Sequence, residues 1–468
     1  MSNTAKANPS RGRVIRLVTT KIAQAPRRIP VALELILGLL ILIAVGTALL
    51  LIPGTATRPL TFMEALFTST SAAAVTGLSV IPISTELTVW GQVVLLLLVQ
   101  IGGVSLIVSV LLFFRLIGRQ VTLADRLAAT YSLGLDSPRQ IATVMVRAAA
   151  LMIIIEGIGA FLLFLHWGFS GIVPLDQAGF YAIFHAVTAY CNAGFDLFYG
   201  LPQYPNGIPT DPITLIILGV LIIMGGLGIP IYMDLIYRRK LRKLTLHTRI
   251  TIKVSLILIL MGWVALLISE YMHGGVLSGE PVLKRFLLAW FQSVSARTAG
   301  FAGLPGFEQL RFDSILLLMS LMFIGSAPAS TGGGITTGTF VVLWMAVVSY
   351  ARGLKSIRIG KRSIPNNLLL RAAVVFIISL TLVLLATWIL LLTNDFSLSD
   401  TLFEVVSAYS TTGLSLGITS DLNQVGRLVI IATMFCGRLG AITIMIAIIG
   451  REQRQKLVEY PEESILVG

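Results

Sequence analysis

Charge is what this sequence of 468 residues has least of: only 12% of it is Asp, Glu, Lys or Arg, against about 25% in an ordinary soluble domain. So little charge excludes the string of water-soluble domains that the length alone would allow. Cysteine is nearly absent. Cys191 and Cys436 are the only two, with no CxxC and no ligand spacing, which excludes a disulfide scaffold and a cysteine-built metal site. Histidine is almost as rare, and His166, His185, His247 and His273 have no partner at ligand spacing, so no catalytic or zinc role is expected of them. What is present is apolar: 56% hydrophobic residues and a mean hydropathy of +0.89. That is the composition of a polytopic membrane protein.

Apolar stretches long enough to cross a bilayer as helix, about 17–25 residues, lie at 31–52, 93–116, 148–166, 213–236, 250–269, 372–392 and 427–449. An eighth, 314–350, is too long for one span and is interrupted by GSAPASTGGGITTG at 325–338. Eight spans are expected, one of them broken. Lys and Arg outnumber Asp and Glu by 35 to 22, and 28 of the 35 fall in 6–28, 115–147, 238–253, 352–371 and the tail from Arg451. With eight spans these segments share one face, which the positive-inside rule makes the cytoplasm, both termini included. The positive excess is then a topology signal, and nucleic acid is not an expected partner. The arm at 1–30 reads as a basic surface helix on the inner leaflet or a loose arm, with a cleaved targeting signal as the alternative.

On the opposite face the connections resemble one another. FTSTSAAAVTGL (67–78), FHAVTAYCNAGF (184–195), FQSVSARTAGF (291–301) and FEVVSAYSTTGL (403–414) each open on Phe and close on Gly–Leu or Gly–Phe. Each carries Ser or Thr four residues after the Phe: Ser71, Thr188, Ser295 and Ser407. The closing glycines, Gly77, Gly194, Gly300 and Gly413, follow one another at 117, 106 and 113 residues. One apolar span precedes each segment and another follows it. Inside each second span a short element returns: IGG at 101–103, MGG at 224–226, IGS at 324–326 and CGR at 436–438. A fourfold internal repeat of span, re-entrant segment and span is the reading. The expected fold is all-α and membrane-integral, with four pseudo-repeated helix–pore loop–helix units (eight transmembrane helices) around a central pore. Its divisions are the arm at 1–30, units at 31–118, 119–236, 237–350 and 351–450, and a cytoplasmic tail at 451–468.

Hydrocarbon cannot satisfy the N–H and C=O groups of a re-entrant segment, so the segment must line protein or water. The runs before the glycines, 62–73, 180–190, 285–296 and 402–409, suit half-helices of two to three turns. Each C-terminal end carries about half a negative charge, and four aimed at one point favour a cation. The residues that follow offer no ring of carboxylates, only backbone carbonyls and a glycine free to take positive φ. The expected selectivity filter is Val75, Thr76 and Gly77 in the first unit and Asn192, Ala193 and Gly194 in the second. Thr298, Ala299 and Gly300 continue it in the third, and Thr411, Thr412 and Gly413 in the fourth, with K⁺ at the carbonyls near the four glycines. The plainer alternative is that the glycines only allow close helix packing.

On these segments the sequence resembles the Trk/Ktr/HKT superfamily of K⁺ transporters over nearly all of 31–450. Lacking two extra N-terminal spans, it is most similar to the Ktr membrane subunit. The resemblance implies potassium uptake across the plasma membrane, no covalent cofactor, K⁺ as the transported ion and Na⁺ as a candidate second ion. It implies a homodimer seated on a cytosolic ring of nucleotide-binding RCK-type regulatory subunits. In the family, Ser at the first-unit glycine goes with Na⁺ permeation, so Gly77 favours K⁺. A TVGYG filter strand has two glycines and each strand here has one. A single left-handed position per strand is therefore expected, with one dominant K⁺ site and weaker selectivity than a channel.

The broken span holds the expected gate, Ala327, Pro328, Ser330, Thr331, Gly332, Gly333 and Gly334. Each glycine costs about 1 kcal/mol in a helix, and a break at membrane depth is tolerated only beside a cavity. A plain hinge is the alternative. The resemblance implies an intramembrane gating loop at this place, although Thr336 stands where many relatives carry Lys. Arg438 lies at mid-span, at an insertion cost of roughly 2.5–3.5 kcal/mol. It is expected to hydrogen-bond loop carbonyls and repel cations, or else to pair with Glu34 or Glu156. Asp196 is read as a cation attractor at the outer mouth or a solvated loop acid, and Asn192 as a filter oxygen or a local hydrogen-bonder. Two other functions stay open. A secondary transporter of another cation or small solute would show breaks at matching positions of two halves, where one break is read here. A membrane-embedded enzyme would need an acid pair, metal cluster or nucleophile–base set that the spans lack.

Overall fold

A computed structural model of the chain describes residues 31–103, 141–204, 207–238, 244–272, 274–354, 356–359 and 362–440. The basic arm, most of the 115–147 segment, His273 and the tail lie outside the described residues. The first unit is α1 (Val31–Leu50), α2 (Phe62–Ala73), the short α3 (Ile83–Glu86) and α4 (Val89–Gly103). The second is α5 (Ile141–Ser170), α6 (Leu175–Tyr190), α7 (Pro212–Leu227) and α8 (Ile229–Arg238). The third is α9 (Leu246–Met272), α10 (Val282–Ser295), α11 (Phe312–Phe323) and α12 (Thr337–Ala351). A two-residue hairpin, β1 (Arg358–Ile359) with β2 (Arg362–Ser363), leads to the fourth unit, α13 (Asn366–Thr393), α14 (Leu398–Ser410) and α15 (Gln424–Leu439).

Four helices are long and apolar enough to cross a membrane: Leu33–Leu50, Val146–Ser170, Leu246–Met272 and Asn366–Thr393. Each opens one unit. Leu and Ile recur all round them, and residues such as Ile41, Ile154, Ile257 and Leu384 are exposed on their outer faces, as lipid contact requires. The returning helices α4, α7, α11 and α12 are shorter and apolar, and α4 stops at the edge of the described residues.

Between outer and returning helices stand α2, α6, α10 and α14, too short to span and too buried to face lipid. Their C-terminal halves are sealed: every residue from Phe67 to Ala73 and from Phe403 to Ser410 is buried. They start where the sequence supplies caps. Thr61 and Glu64 form a reciprocal capping box on α2, and Ser397 accepts from the Asp400 N–H on α14. The units are joined head to tail. Helix α4 packs on α6, α7 on α10, α11 on α14 and α15 on α2, which closes the ring. The fold is therefore the expected all-α membrane fold of four helix–pore loop–helix units.

One expectation fails. The span drawn at 213–236 is two helices, α7 and α8, meeting at 90°. Gly228 sits between them at φ +84°, and Pro230 follows in the first turn of α8 with no N–H to continue the ladder. Helix α15 likewise ends on Gly440 at φ +77°. The break is therefore not confined to the third unit.

At the outer rim the Arg58 guanidinium, 2.9 Å away, holds the Glu64 carboxyl down at about 2, helped by Thr61. A depressed acid stabilises the fold above its ordinary value of 4.5 and ceases to as pH falls toward 2. Thr61→Ala should lower stability by about 1 kcal/mol, and Arg58→Ala should flatten the loss between pH 4.5 and 2. Thermal unfolding in detergent across that range checks both.

Candidate functional site

After each short helix the chain turns into a strand of three residues ending on the recurrent glycine. Most of the strands' N–H groups are spent backward on the helix. Thr76 N donates to Ser71 O at 2.8 Å, Ala193 N to Thr188 O at 2.8 Å, Ala299 N to Ser295 O at 2.9 Å and Thr412 N to Ser407 O at 2.9 Å. Gly77 N and Gly413 N donate to the hydroxyls of Ser71 and Ser407 at 3.1 and 3.0 Å. The recurrent Ser four residues after Phe is thus a strand anchor, and Ser295 donates to Phe301 O at 2.7 Å. Thr188 instead bonds within its own helix, to Phe184 O.

The carbonyls receive nothing in return. Among the described residues no hydrogen bond reaches the carbonyl oxygens of Val75, Thr76, Asn192, Ala193, Thr298, Ala299, Thr411 or Thr412, although all eight residues are 0% exposed. Buried carbonyls are nearly always paired, so eight unpaired ones in one place need a partner of another kind.

Backbone dihedrals match. Each strand has two left-handed residues, the glycine and the residue two before it: Val75 at φ 58° with Gly77 at 95°, and Asn192 at 58° with Gly194 at 66°. Thr298 at 74° precedes Gly300 at 84°, and Thr411 at 51° precedes Gly413 at 95°. The expectation of one left-handed position per strand is overturned. Non-glycine residues supply the second at roughly 1–2 kcal/mol each, and three of the four, Val75, Thr298 and Thr411, are β-branched and so poorly suited to it. In an extended strand successive carbonyls alternate sides; left-handed residues at every second position turn them to the same side.

The strands also form a ring. A Cβ added to Gly77 would come closer than 3.0 Å to Ala193 O, one on Gly194 to Ala299 O, one on Gly300 to Thr412 O and one on Gly413 to Thr76 O. The carbonyl before each glycine therefore lies against the glycine of the preceding unit, all the way round. A second set packs helix on helix: Gly102, Gly225 and Gly437 on the returning helices lie on the carbonyls of Ala73, Tyr190 and Tyr409.

Directly beneath the ring lies the segment between α11 and α12. A Cβ on Gly332 would meet the Thr298 hydroxyl, and one on Gly333 the Thr411 hydroxyl, both within 3.0 Å. Backbone bonds tie the segment to the bend of the second unit, Ala327 N to Gly226 O at 3.1 Å and Ile229 N to Ala329 O at 3.3 Å. Thr336, where a charge was absent, caps α12 by accepting from the Thr339 N–H. Pro328, Ser330 and Gly334 complete the turn, with Ser330 Oγ 2.5 Å from Ser326 Oγ and Gly334 at φ 73°.

Two buried guanidinium groups grip this segment. Arg438 donates to the carbonyls of Thr331 and Gly102. It meets no carboxylate among the described residues, and Glu156, one partner considered for it, accepts from Gln100 at 2.9 Å and faces Cys191. Arg297 was missed. It donates to Gly325 O at 3.1 Å, at the root of the segment, and to Ser255 O on α9 at 3.5 Å. The signal was legible: an arginine inside an otherwise apolar re-entrant segment, at the same insertion cost that singled out Arg438.

Other candidates resolve locally. Asn192, in the amide orientation that satisfies both ends, donates to Ile222 O and Ala189 O. Asp196 accepts from Phe198 N at 2.7 Å and faces His185 at 3.0 Å, so it is neither free nor solvated. His166 faces Asp211, the N-cap of α7, at 2.6 Å. These acid partners for His166 and His185 escaped the sequence because they lie 45 and 11 residues away. Among the described residues no group of three His, Cys, Asp or Glu could hold a metal ion.

Known proteins give the same outline. Residues 33–460 match the family TrkH, described as a cation transport protein. The Ktr system potassium uptake protein B of Bacillus subtilis is 32% identical over 437 residues, 93% of this chain and 96% of that one. The potassium/sodium uptake protein NtpJ of Enterococcus hirae is 32% identical over 446 residues, 92% and 96% of the two chains. The crystal structure of the potassium transporter TrkH from Vibrio parahaemolyticus superposes with a TM-score of 0.69 at 20% identity, covering 92% of this chain and 87% of that one.

The two classes of glycine make a paired prediction. Gly437→Ala drives a methyl into the Tyr409 carbonyl and should destabilise by about 1–3 kcal/mol. Gly157→Ala, on α5 with open space around it, should be neutral or stabilising by up to about 1 kcal/mol. Thermal unfolding of both variants in one detergent checks the contrast.

Proposed function

The chain belongs to the TrkH family of cation transport proteins, and from that premise we propose that it is a potassium uptake transporter whose selectivity filter is the ring of four strands. The observation that carries this reading is the set of eight buried carbonyls, unpaired among the described residues, on strands most of whose N–H groups turn back toward their helices. Carbonyl rings replace the hydration shell of an alkali cation. The C-terminal ends of α2, α6, α10 and α14 add partial negative charge at the same level. Val75 to Gly77, Asn192 to Gly194, Thr298 to Gly300 and Thr411 to Gly413 form the filter, and K⁺ sits at their carbonyls near the four glycines. Two left-handed positions per strand remove the ground for limiting each strand to one ordered carbonyl.

The segment at 325–338 is the gate. It closes the pathway beneath the third and fourth strands, and Arg438 latches it to the end of α4 while opposing a cation's passage. A charge-assisted hydrogen bond is worth about 1.5–3 kcal/mol, enough to shift a closed–open balance by roughly tenfold or more. Relatives named for a Ktr system support a separate regulatory subunit, and a cytosolic RCK-type nucleotide-binding ring acting on a homodimer is our reading of it. The relative named for potassium and sodium supports Na⁺ as a second ion. The distribution of Lys and Arg supports a plasma-membrane protein with both termini in the cytoplasm. A secondary transporter of inverted halves is the weaker reading, because the breaks fall on returning helices of units repeated head to tail.

Flux of ⁸⁶Rb⁺ into proteoliposomes, competed by K⁺ or Na⁺, tests the proposal. Wild type should take up Rb⁺ with K⁺ as the stronger competitor. Gly77→Ser should narrow the K⁺ preference, and Arg438→Ala or deletion of 327–334 should raise uptake by roughly tenfold. No cation flux in wild type contradicts the function, and unchanged uptake in both gate variants contradicts the latch.

A further inference from the structure

The residue that follows the opening Phe of each repeat belongs neither to the proposed filter nor to the proposed gate. Those residues are Thr68, His185, Gln292 and Glu404, all on the short helices and all 0% exposed. Chemically they have nothing in common, yet three of them do the same thing. Gln292 Oε1 accepts from the Gly303 N–H at 2.9 Å, three residues beyond the filter glycine. Glu404 accepts from the hydroxyls of Ser415 at 2.7 Å and Thr419 at 2.5 Å, two and six residues beyond it. His185 donates through Nδ1 to Tyr181 O at 2.8 Å. This fixes its Nε2 at 3.0 Å from Asp196 Oδ1 and 3.3 Å from the Leu197 N–H, two and three residues beyond Gly194. Aromatic rings of Trp167, Tyr181 and Phe198 enclose the imidazole. Each of the three is a strut from helix to outer strand. The exception is Thr68, whose buried hydroxyl has no partner among the described residues.

We propose that His185, Gln292 and Glu404 are positioning residues that set K⁺ over Na⁺ discrimination by bracing the outer strands of the second, third and fourth units, and that the unbraced first unit is the compliant wall. The proposal rests on the filter reading above. Coordinating the smaller Na⁺ requires the carbonyl ring to contract. A strand tied to its helix just past the glycine resists that movement, whereas among the described residues the first strand has no side-chain bond to its helix beyond the one from Gly77 N to the Ser71 hydroxyl. Different chemistry at one repeat position explains how a single requirement, a bond to the outer strand, is met three ways.

The test is the ratio of Na⁺ to K⁺ concentrations needed to halve ⁸⁶Rb⁺ uptake, measured on protein of verified thermal stability. Gln292→Leu and Glu404→Leu should lower that ratio at least threefold, Glu404→Gln should restore part of it by accepting one of the two hydroxyls, and Thr68→Val should leave it unchanged. Should a helix variant fail to fold, Ser415→Ala combined with Thr419→Val removes the fourth unit's strut from the strand side and should lower the ratio in the same direction. A packing role would reduce folded yield and uptake of all ions without moving the ratio. Ratios within twofold of wild type in the strut variants, or an equal fall in Thr68→Val, overturn the proposal. A wild type that does not prefer K⁺ overturns the filter reading itself, which is a separable outcome.

Discussion

Everything in this structure answers to the need to satisfy peptide groups where no water can reach them. Four strands lie deep in the protein with most of their N–H groups bonded to the last turn of a short helix and, among the described residues, no bond to their carbonyls. A helix that spanned the bilayer would have consumed both. Stopping α2, α6, α10 and α14 short of a full span leaves helix-end acceptors for the strand N–H groups, and the Ser71 and Ser407 hydroxyls take two more. The cost is four non-glycine residues in the left-handed region, roughly 1–2 kcal/mol each. Close packing around the strands holds them there: Val75, Asn192, Thr298 and Thr411 are all 0% exposed.

The ring of strands is fourfold, and what surrounds it is not. Returning helices of the first, second and fourth units press a glycine on the end of a short helix, whereas in the third the Gly325 carbonyl takes the Arg297 guanidinium instead. Among the described residues the long irregular segment belongs to the third unit, and the fourth supplies Arg438 to hold it. Neither arginine has a carboxylate among the described residues. Pairing a buried guanidinium with the carbonyls of an irregular segment, rather than with a fixed acid, makes its cost contingent on that segment's position. On the proposed function, selectivity is built from what the repeats share, and control from where they differ.

Much of this was legible in the sequence. The four segments opening on Phe and closing on Gly gave the repeat, the short helix at Phe62–Ala73 begins and ends where it was drawn, and the proline with three glycines marked the interruption. What escaped depends on backbone conformation and on contacts distant in the chain. Left-handed Val75 and Thr411 are invisible to propensity, because tertiary packing overrides the preference of β-branched residues. The 90° bend was signalled by Gly228 and Pro230 but masked by the unbroken apolar run around them. Arg297 was hidden among small residues, and the struts share a position without sharing a chemistry.

The central claim is that the eight carbonyls converge on an axis and hold a dehydrated alkali cation. Its most direct test is anomalous diffraction from crystals of the protein grown in Rb⁺ or Tl⁺. The account predicts a peak on the axis, within coordination distance of the carbonyls of Thr76, Ala193, Ala299 and Thr412, lost when Na⁺ replaces the heavier ion. A ring that stays empty while the ion appears elsewhere in the membrane region would contradict it.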